Sequence, residues 1–404
     1  MQVAHRIRFV PDSPTLAITA KSKQMISEGK DVISLSIGEP DFPTPKHIIE
    51  AAKRALDKGA TKYTPAAGIP ELRKAVSNKI SADYGIDTIT PDHVIISSGA
   101  KHSLYNAMMA VINPGDEVII PAPYWVSYPV MVTLASGIPV FVPTTLEENF
   151  ILTPEKLRAA ITRRTKMVIL NNPSNPTGAV YRKSQIKALL NVILDYPNIM
   201  VLSDDIYRLL IYGNANFHSI ASFGELARKR TIVIDGVSKA YSMTGWRIGF
   251  SVARRRVTRA MAHIQSHSTS NPAAVSQFAA LKALTGTQEP INFMREKFNS
   301  RRKFMIKNLS TLESLEFSHP KGAFYVMPRV SKLLGKITPK GDLLRTDVDV
   351  SHYFLEKAYV GTVPGTPFGL PSHIRLSYAL KMEKLKKAVD RIAEAILDLR
   401  EPGV

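Results

Sequence analysis

An α/β architecture is what the sequence predicts: a large domain on a mostly parallel, doubly wound sheet, with a smaller α/β C-terminal domain joined by an N-terminal arm. Three observations predict it. From about residue 92 short apolar runs rich in Val and Ile alternate with helical stretches. Several runs, such as Val94-Ile95-Ile96, Met167-Val168-Ile169-Leu170 and Met200-Val201-Leu202, contain no polar residue, as strands covered on both faces require. Polar residues then gather directly after the runs, at the carboxyl ends of the strands, where open α/β sheets bind ligands.

In chain order, residues 1–46 are rich in Pro and turn signals and end in Ser36-Ile37-Gly38-Glu39-Pro40-Asp41-Phe42-Pro43-Thr44-Pro45, which predicts an extended arm followed by a loop. Thr44 and Pro45 then cap a helix to about Lys58, with Ile48, Ala51, Ala52, Ala55 and Leu56 at helical spacing. After the loop 62–70, Pro70 opens the next helix. Strands are predicted near 93–97, 117–120, 138–142, 166–170, 199–203, 231–235 and 247–252, with helices between most of them. A long helix near 290–313 leads to strands near 323–327, 360–363 and 373–378 and a terminal helix over about 381–399. The division expected is an arm of residues 1–46 shared with the small domain, a large cofactor-binding domain of 47–290 and a small domain of 291–404.

A chain of 404 residues exceeds what one core accommodates. It has no cysteine, which excludes disulfides, thiol nucleophiles and thiolate metal sites. Its charge of +19 could signal nucleic acid, an acidic membrane or anionic substrates. The basic runs Arg163-Arg164, Arg228-Lys229-Arg230, Arg254-Arg255-Arg256 and Arg301-Arg302-Lys303 are scattered, mostly in helices or at their ends, which is the pattern of a solvated surface. No run approaches the ~18 apolar residues of a membrane span, and the N-terminus lacks the apolar core of a signal peptide. A soluble, cytoplasmic protein is expected.

The chemistry centres on the stretch from Asp235 to Phe250. It puts Lys239 just beyond an apolar run, with Ser238 beside it, Arg247 eight residues on and glycines at both margins. A lysine leaving a buried strand is well placed to lose its proton, and a neutral amine condenses with an aldehyde. Ser238 and Arg247 are residue types that hold a phosphate. An aldehyde and a phosphate on one small molecule describe pyridoxal 5'-phosphate. Other strands deliver groups to the same edge. The run at 93–97 ends in Ser98-Gly99-Ala100-Lys101 and a helix, whose first amides suit a phosphate. Asn175 follows the run at 166–170, and Asp204 and Tyr207 follow the run at 199–203. A buried Asp204 would keep the cofactor's pyridine nitrogen protonated, while Asn175 and Tyr207 would donate to its phenolic oxygen. Trp125 offers a plane for the ring, or is a buried interface aromatic.

Gly236 to Gly249 resembles, position for position, the pyridoxal-phosphate attachment pattern of the class I aminotransferases. The runs Ile37-Gly38-Glu39-Pro40-Asp41-Phe42, Lys62-Tyr63-Thr64-Pro65-Ala66-Ala67-Gly68, Pro123-Tyr124-Trp125-Val126-Ser127-Tyr128-Pro129, Asn175-Pro176-Thr177-Gly178 and Arg375-Leu376-Ser377-Tyr378 stand in that family's order. The whole chain is similar to the bacterial and archaeal aspartate aminotransferase branch of fold type I. The resemblance implies a homodimer with shared active sites, in which Tyr63 reaches the neighbour's site. It implies backbone donors to the phosphate from Gly99, Ala100 and Lys101, joined by Ser238 and Arg247. Arg375 would hold the substrate's α-carboxylate, helped by Gly38, Asn175 and Trp125. In this branch a lysine and a threonine at the positions of Lys101 and Thr15 are associated with the distal carboxylate of aspartate. Aspartate and 2-oxoglutarate are thus the expected substrates, in a ping-pong transamination with Lys239 as both anchor and general acid/base. Aromatic amino acids or prephenate are the alternative. Asp205 stands where the family often has Glu, and Ala100 where Gly is common.

Three other readings carry less. Ser98 and Lys101 have the spacing of penicillin-recognising acyl enzymes, but a Lys-Thr-Gly run is missing. His263 and His267 lie four apart on a helix without an acidic residue between them, so no metal is expected. A nucleic-acid-binding regulator on an aminotransferase-like fold would need an added N-terminal domain, which the ~45 residues before the first long helix cannot supply; nucleic acid is not an expected partner.

Overall fold

The computed structural model describes residues 14–402 together with Ala4, Ile7 and Val10; for residues 14–17 and 19 it describes the backbone alone. Its centre is a seven-stranded sheet. From edge to edge run Val94–Ser97, Gly249–Val252, Thr231–Gly236, Met200–Asp204, Thr165–Asn171, Glu117–Ala122 and Ile138–Pro143. Gly249–Val252 is antiparallel to both its neighbours and every other pairing is parallel. Six strands therefore point their carboxyl ends to one edge of the sheet. Val94–Ser97, Gly249–Val252 and Thr231–Gly236 are buried from end to end, and Met167–Leu170 and Val201–Leu202 are buried throughout their apolar runs, as strands covered on both faces require. Ile138–Pro143 closes an edge, where Pro139 and Pro143 leave no ladder hydrogen bond unmade.

Helices cover both faces. The helix Lys46–Asp57 buries Ile48, Ala52 and Ala55, and Pro70–Tyr84 ends at Gly85, whose φ of 64° allows the left-handed stop. Beyond the sheet, Glu289–Leu309 and Met382–Leu397 pack with three short strands, Val363–Pro364, Ile374–Ser377 and Tyr325–Val326. One apolar cluster joins this part to Ile33 and Leu35 and to Ile206, Tyr207, Leu210 and Tyr212 beyond the central strands. Among the described residues no helix is long and apolar enough to cross a membrane.

The structure differs from the sequence-based expectation in five places, the first being that the strand expected near 360–363 breaks into Val360–Gly361, paired with Ile33–Ser34, and Val363–Pro364, paired with Ile374–Ser377. The arm is not extended throughout: Pro14–Ser27 is a helix. Pro14 fits a first helical position, and Ile18, Ser22 and Met25 share a buried face at helical spacing. Thr44 does not cap Lys46–Asp57; its hydroxyl donates to Ser242 O at 2.7 Å and accepts from Trp246 Nε1 at 2.9 Å. The strand expected from 247 begins at Gly249, because Arg247 has a φ of 55°, outside any strand conformation. The strand expected at 323–327 shrinks to Tyr325–Val326 behind Ala323, whose φ is also 55°.

Thr44 belongs to a wider seam. Segment 38–44 lies across the loop that carries Lys239: Thr244 Oγ1 donates to Glu39 Oε2 at 2.8 Å, and Ser242 Oγ donates to Phe42 O. Arg301, itself buried, grips Asp41 with two bonds of 2.7 and 2.9 Å. The arm is thus tied to the loop on one side and to the helix Glu289–Leu309 on the other.

Candidate active site

The carboxyl edge of the sheet opens on a cavity of about 1320 Å³. Lys239, three residues beyond the end of Thr231–Gly236, reaches it with its amine 2.7 Å from Gly38 O and 5.9 Å from the centre of the Tyr207 ring. Desolvation outweighs the nearby Glu39 carboxylate and brings the Lys239 pKa down to about 8; Arg375 and Arg247 act with burial, Asp204 against it. An appreciable fraction of the amine is therefore neutral near neutral pH.

Asp204 ends its strand with its carboxylate buried. Tyr128 donates to Oδ2 at 2.6 Å and the amide of Ile206 to Oδ1 at 3.3 Å. Burial pushes the Asp204 pKa up to about 6 against the pull of those two bonds. Both hydrogen-bond partners are neutral, which suits a carboxylate meant for a cationic group brought by a ligand. Asp205, next in the chain, points into a different environment: Tyr84 and Ser203 each donate to it at 2.6 Å, and burial pushes its pKa up to about 7.

Arg375 lies opposite. It is 4% exposed, donates from Nη1 to Asn175 Oδ1 at 3.0 Å and from Nη2 to Ser36 O at 2.8 Å, and stacks 4.5 Å from the Tyr325 ring centre and 5.0 Å from that of Phe368. Its acceptors are uncharged, and its Nε has no partner among the described residues. Burial lowers its pKa from the usual guanidinium value. A guanidinium desolvated to this degree without a carboxylate favours an anionic ligand. Because Arg375 occupies the oxygen of Asn175, the amide nitrogen of Asn175 remains as a donor. Tyr207 exchanges a 2.9 Å hydrogen bond with Tyr325.

The far end of the cavity is more open. Gly99 N turns back to Ser97 O at 2.7 Å, so the amides of Ala100 and Lys101 are the first of the helix Ala100–Val111 and have no carbonyl of that helix to bond. Arg247 is exposed and donates to Thr244 O at 2.9 Å. A side chain at Gly99 would strike its guanidinium, and one at Gly249 would strike the backbone of Gly99 and Ala100. The two glycines let the arginine and the helix start approach one another, and the buried Ser238 lines the same cavity. Amides, a hydroxyl and a guanidinium in one cradle fit a phosphate. Lys101 Nζ sits 4.9 Å from the centre of the Trp125 ring, and partial desolvation, then the charge of Arg247, hold its pKa below the usual lysine value.

Gly38, Ala100, Lys101, Trp125, Asn175, Asp204, Tyr207, Ser238, Lys239, Arg247 and Arg375 all line this one cavity. Gly99 shapes it without lining it. Tyr63 is 90% exposed and stands outside it. Thr15 lies in the helix Pro14–Ser27, but its side chain is outside the described residues. Sequence reasoning missed Tyr128, Tyr325, Phe368 and Glu39. For Tyr128 a signal existed, since a tyrosine inside an apolar helix needs a partner for its hydroxyl; for Tyr325 and Phe368 none did. The described residues contain no group of three His, Asp or Glu side chains placed to hold a metal, His263 and His267 included.

Residues 30–392 match the family model described as aminotransferase class I and II. The chain is 46% identical over 383 residues to an aspartate/prephenate aminotransferase of Cereibacter sphaeroides, covering 95% of this chain and 96% of that one. It is 44% identical over 392 residues to an aspartate aminotransferase of Geobacillus stearothermophilus, covering 97% and 98%. The crystal structure of the aspartate aminotransferase of Rhizobium meliloti superposes with a TM-score of 0.95 at 44% identity, over 99% of this chain and 100% of that one. A Thermus thermophilus aspartate aminotransferase with maleate gives 0.91 at 41%, over 98% and 100%.

Proposed function

The chain belongs to the class I and II aminotransferases, which are pyridoxal-phosphate-dependent transaminases, and from that premise we propose that it moves the amino group of aspartate to 2-oxoglutarate. One observation carries the reading: a partly desolvated lysine amine, a buried carboxylate with neutral partners and a buried guanidinium with neutral acceptors share one cavity.

Pyridoxal phosphate supplies an aldehyde for amine exchange and a ring that accepts the electrons of the substrate's Cα. Lys239 would anchor it and, as a free amine, would carry the α-proton. Asp204 would hold the proton on the ring nitrogen, Asn175 Nδ2 and Tyr207 would donate to the phenolic oxygen, and Trp125 would cover the ring. The amides of Ala100 and Lys101, Ser238 Oγ and Arg247 would hold the phosphate. Arg375 binds the α-carboxylate through its fork, next to Gly38 and Asn175. The Lys101 ammonium meets the distal carboxylate, with Thr15 as its partner. The relatives named for aspartate, and the Thermus structure that holds the dicarboxylate maleate, support this substrate class. We further propose that 1–46, 47–290 and 291–404 act as arm, large domain and small domain. The functional unit is a homodimer in which the exposed Tyr63 completes the partner's site; its 90% exposure supports that role.

A second reading, prephenate or aromatic amino acids, draws support from the apolar cavity wall of Leu104, Val130, Met131 and Leu134 and from the Cereibacter relative's name. Visible spectroscopy of the purified protein loaded with pyridoxal phosphate separates the two. Aspartate should remove the long-wavelength band well ahead of phenylalanine, alanine or arogenate-type amines. Conversion by phenylalanine alone would move the substrate to the aromatic class. A protein in which pyridoxal phosphate gives no Lys239-dependent band would end the transaminase mechanism.

A further inference from the structure

Tyr128 lies at the start of the helix Ser127–Leu134, yet its ring is 1% exposed and its hydroxyl donates to Asp204 Oδ2 across 76 positions of sequence at 2.6 Å. The bond is short, as hydrogen bonds to ionised acceptors are. The other oxygen, Oδ1, takes the weaker amide bond of Ile206 at 3.3 Å. Around the ring edge, Trp125 meets Tyr128 at 5.4 Å between centres with planes 82° apart, and Tyr128 N donates to Trp125 O at 3.0 Å. One residue therefore touches both the carboxylate at the cavity's depth and the indole on its wall.

From this geometry we infer that Tyr128 is a positioning residue for the transamination, fixing the rotamer and the charge of Asp204 so that one carboxylate oxygen is reserved for the ligand's ring nitrogen. It does not touch substrate; it acts through Asp204. This rests on the cofactor placement proposed above.

The physics gives the direction. The buried Asp204 carboxylate is pushed toward its neutral form by desolvation and then by Asp235, and toward its ionised form by the hydroxyl of Tyr128, then by the amide of Ile206 and by Lys239. Asp205, one residue on, has its own donors, Tyr84 and Ser203, and does not share this one. Removing the Tyr128 hydroxyl takes away a donor to the charged form, so Asp204 should hold its proton to higher pH. A protonated Asp204 no longer stabilises a cationic ring nitrogen.

The test has two arms. In the cofactor-free protein labelled with ¹³C at aspartate carboxyls, the Asp204 signal, assigned through Asp204→Asn, is titrated in wild type and in Tyr128→Phe. Its midpoint should rise by about one unit in the variant. Site-specific 3-fluorotyrosine at position 128 keeps the shape and makes the hydroxyl a stronger donor, so it should move the midpoint down. In the second arm the dissociation constant for pyridoxal phosphate, read by quenching of tryptophan fluorescence, should rise about tenfold in Tyr128→Phe, the usual scale for a lost hydrogen bond to a charged group. An Asp204 midpoint unchanged in both variants would overturn the inference, even if Tyr128→Phe melts at a lower temperature, because a merely packing role moves stability and leaves the carboxyl titration alone. If the carboxyl moves as expected but wild type forms no Lys239-dependent band with pyridoxal phosphate, the cofactor placement fails while the Tyr128–Asp204 coupling stands, and with it only the electrostatic half of the inference survives.

Discussion

The two ends of the cavity both present cations and treat them in opposite ways. At one end Arg375 is 4% exposed, held by Asn175 and Ser36 and sandwiched between Tyr325 and Phe368. At the other, Lys101 and Arg247 are exposed, Lys101 resting against Trp125 and Arg247 hung from Thr244 O. A buried charge has already lost its water, so a matching carboxylate there contributes strongly and its loss is severe. An exposed charge competes with water and salt, and a pair formed there is worth little more than ~1 kcal/mol. The buried end should therefore recognise what every amino acid shares, and the open end should only tilt the choice among side chains.

Lys239 lies between the two ends and should show the largest effect. Lys239→Ala is expected to lose turnover by at least about 10⁴-fold, since both roles proposed for it, anchor and proton carrier, would go together. Its pH behaviour follows from a pKa drawn down to about 8. The neutral amine becomes available from about pH 8 upward, so capture of pyridoxal phosphate by the cofactor-free protein should accelerate with pH and level off above that point. Stability has the same sign. The unfolded lysine keeps its proton to higher pH than the folded one, so burial of Lys239 weighs against folding below about pH 8 and the penalty fades as pH climbs toward the ordinary lysine value. Urea unfolding of wild type against Lys239→Ala at several pH values checks this. A capture rate that is flat from pH 6 to 9 would mean that the amine is not desolvated as the cavity implies.

Much of this middle region was legible in the sequence. The apolar runs before Ser98, Asn175, Asp204 and Lys239 could only be buried strands, and one parallel sheet puts their ends on one edge. The partners of those residues were not legible, because nothing local encodes them. Tyr207 meets Tyr325 across 118 positions, and Arg375 meets Ser36 across 339. The left-handed backbone at Arg247 was equally hidden, since arginine carries no turn signal. The helix Pro14–Ser27 was masked by the prolines and hydroxyl residues around it, and forms where its buried face meets Gly361. What strands deliver can be read from the chain; what tertiary packing then does to each delivered group needs the fold.

Arg375→Lys is the sharper probe of the buried end. The charge stays, but the fork that matches a carboxylate and the planar contact with Tyr325 and Phe368 go. A fall of about 10²-fold in kcat/KM is expected, and it should be equal for aspartate, alanine and phenylalanine, because all three carry the α-carboxylate. Steady-state kinetics on the three substrates measures it. A loss confined to aspartate would put Arg375 at the side-chain end and reverse the comparison.

The smallest effect belongs to Lys101, and it discriminates most finely. Lys101→Met keeps the backbone amide of the helix start and a chain long enough to cover Trp125, and removes only the charge. Because the ammonium is exposed, the loss for aspartate should be about fivefold in kcat/KM, the most that an exposed pair yields. Alanine and phenylalanine should lose nothing. The wild-type preference for aspartate should also shrink as salt is raised, since screening acts on exposed charges far more than on buried ones, and the variant should show no such dependence. The activity common to all substrates, resting on Arg375, should hardly respond to salt in either protein. If Lys101→Met instead lowered all three substrates alike, the side chain would be supporting Trp125 and the cofactor rather than reading the distal carboxylate. Specificity would then have to come from the apolar wall of Leu104, Val130, Met131 and Leu134. In that case the open end of the cavity would discriminate by shape, and the division between a buried end for the shared group and a charged open end for the variable one would hold for the first half only.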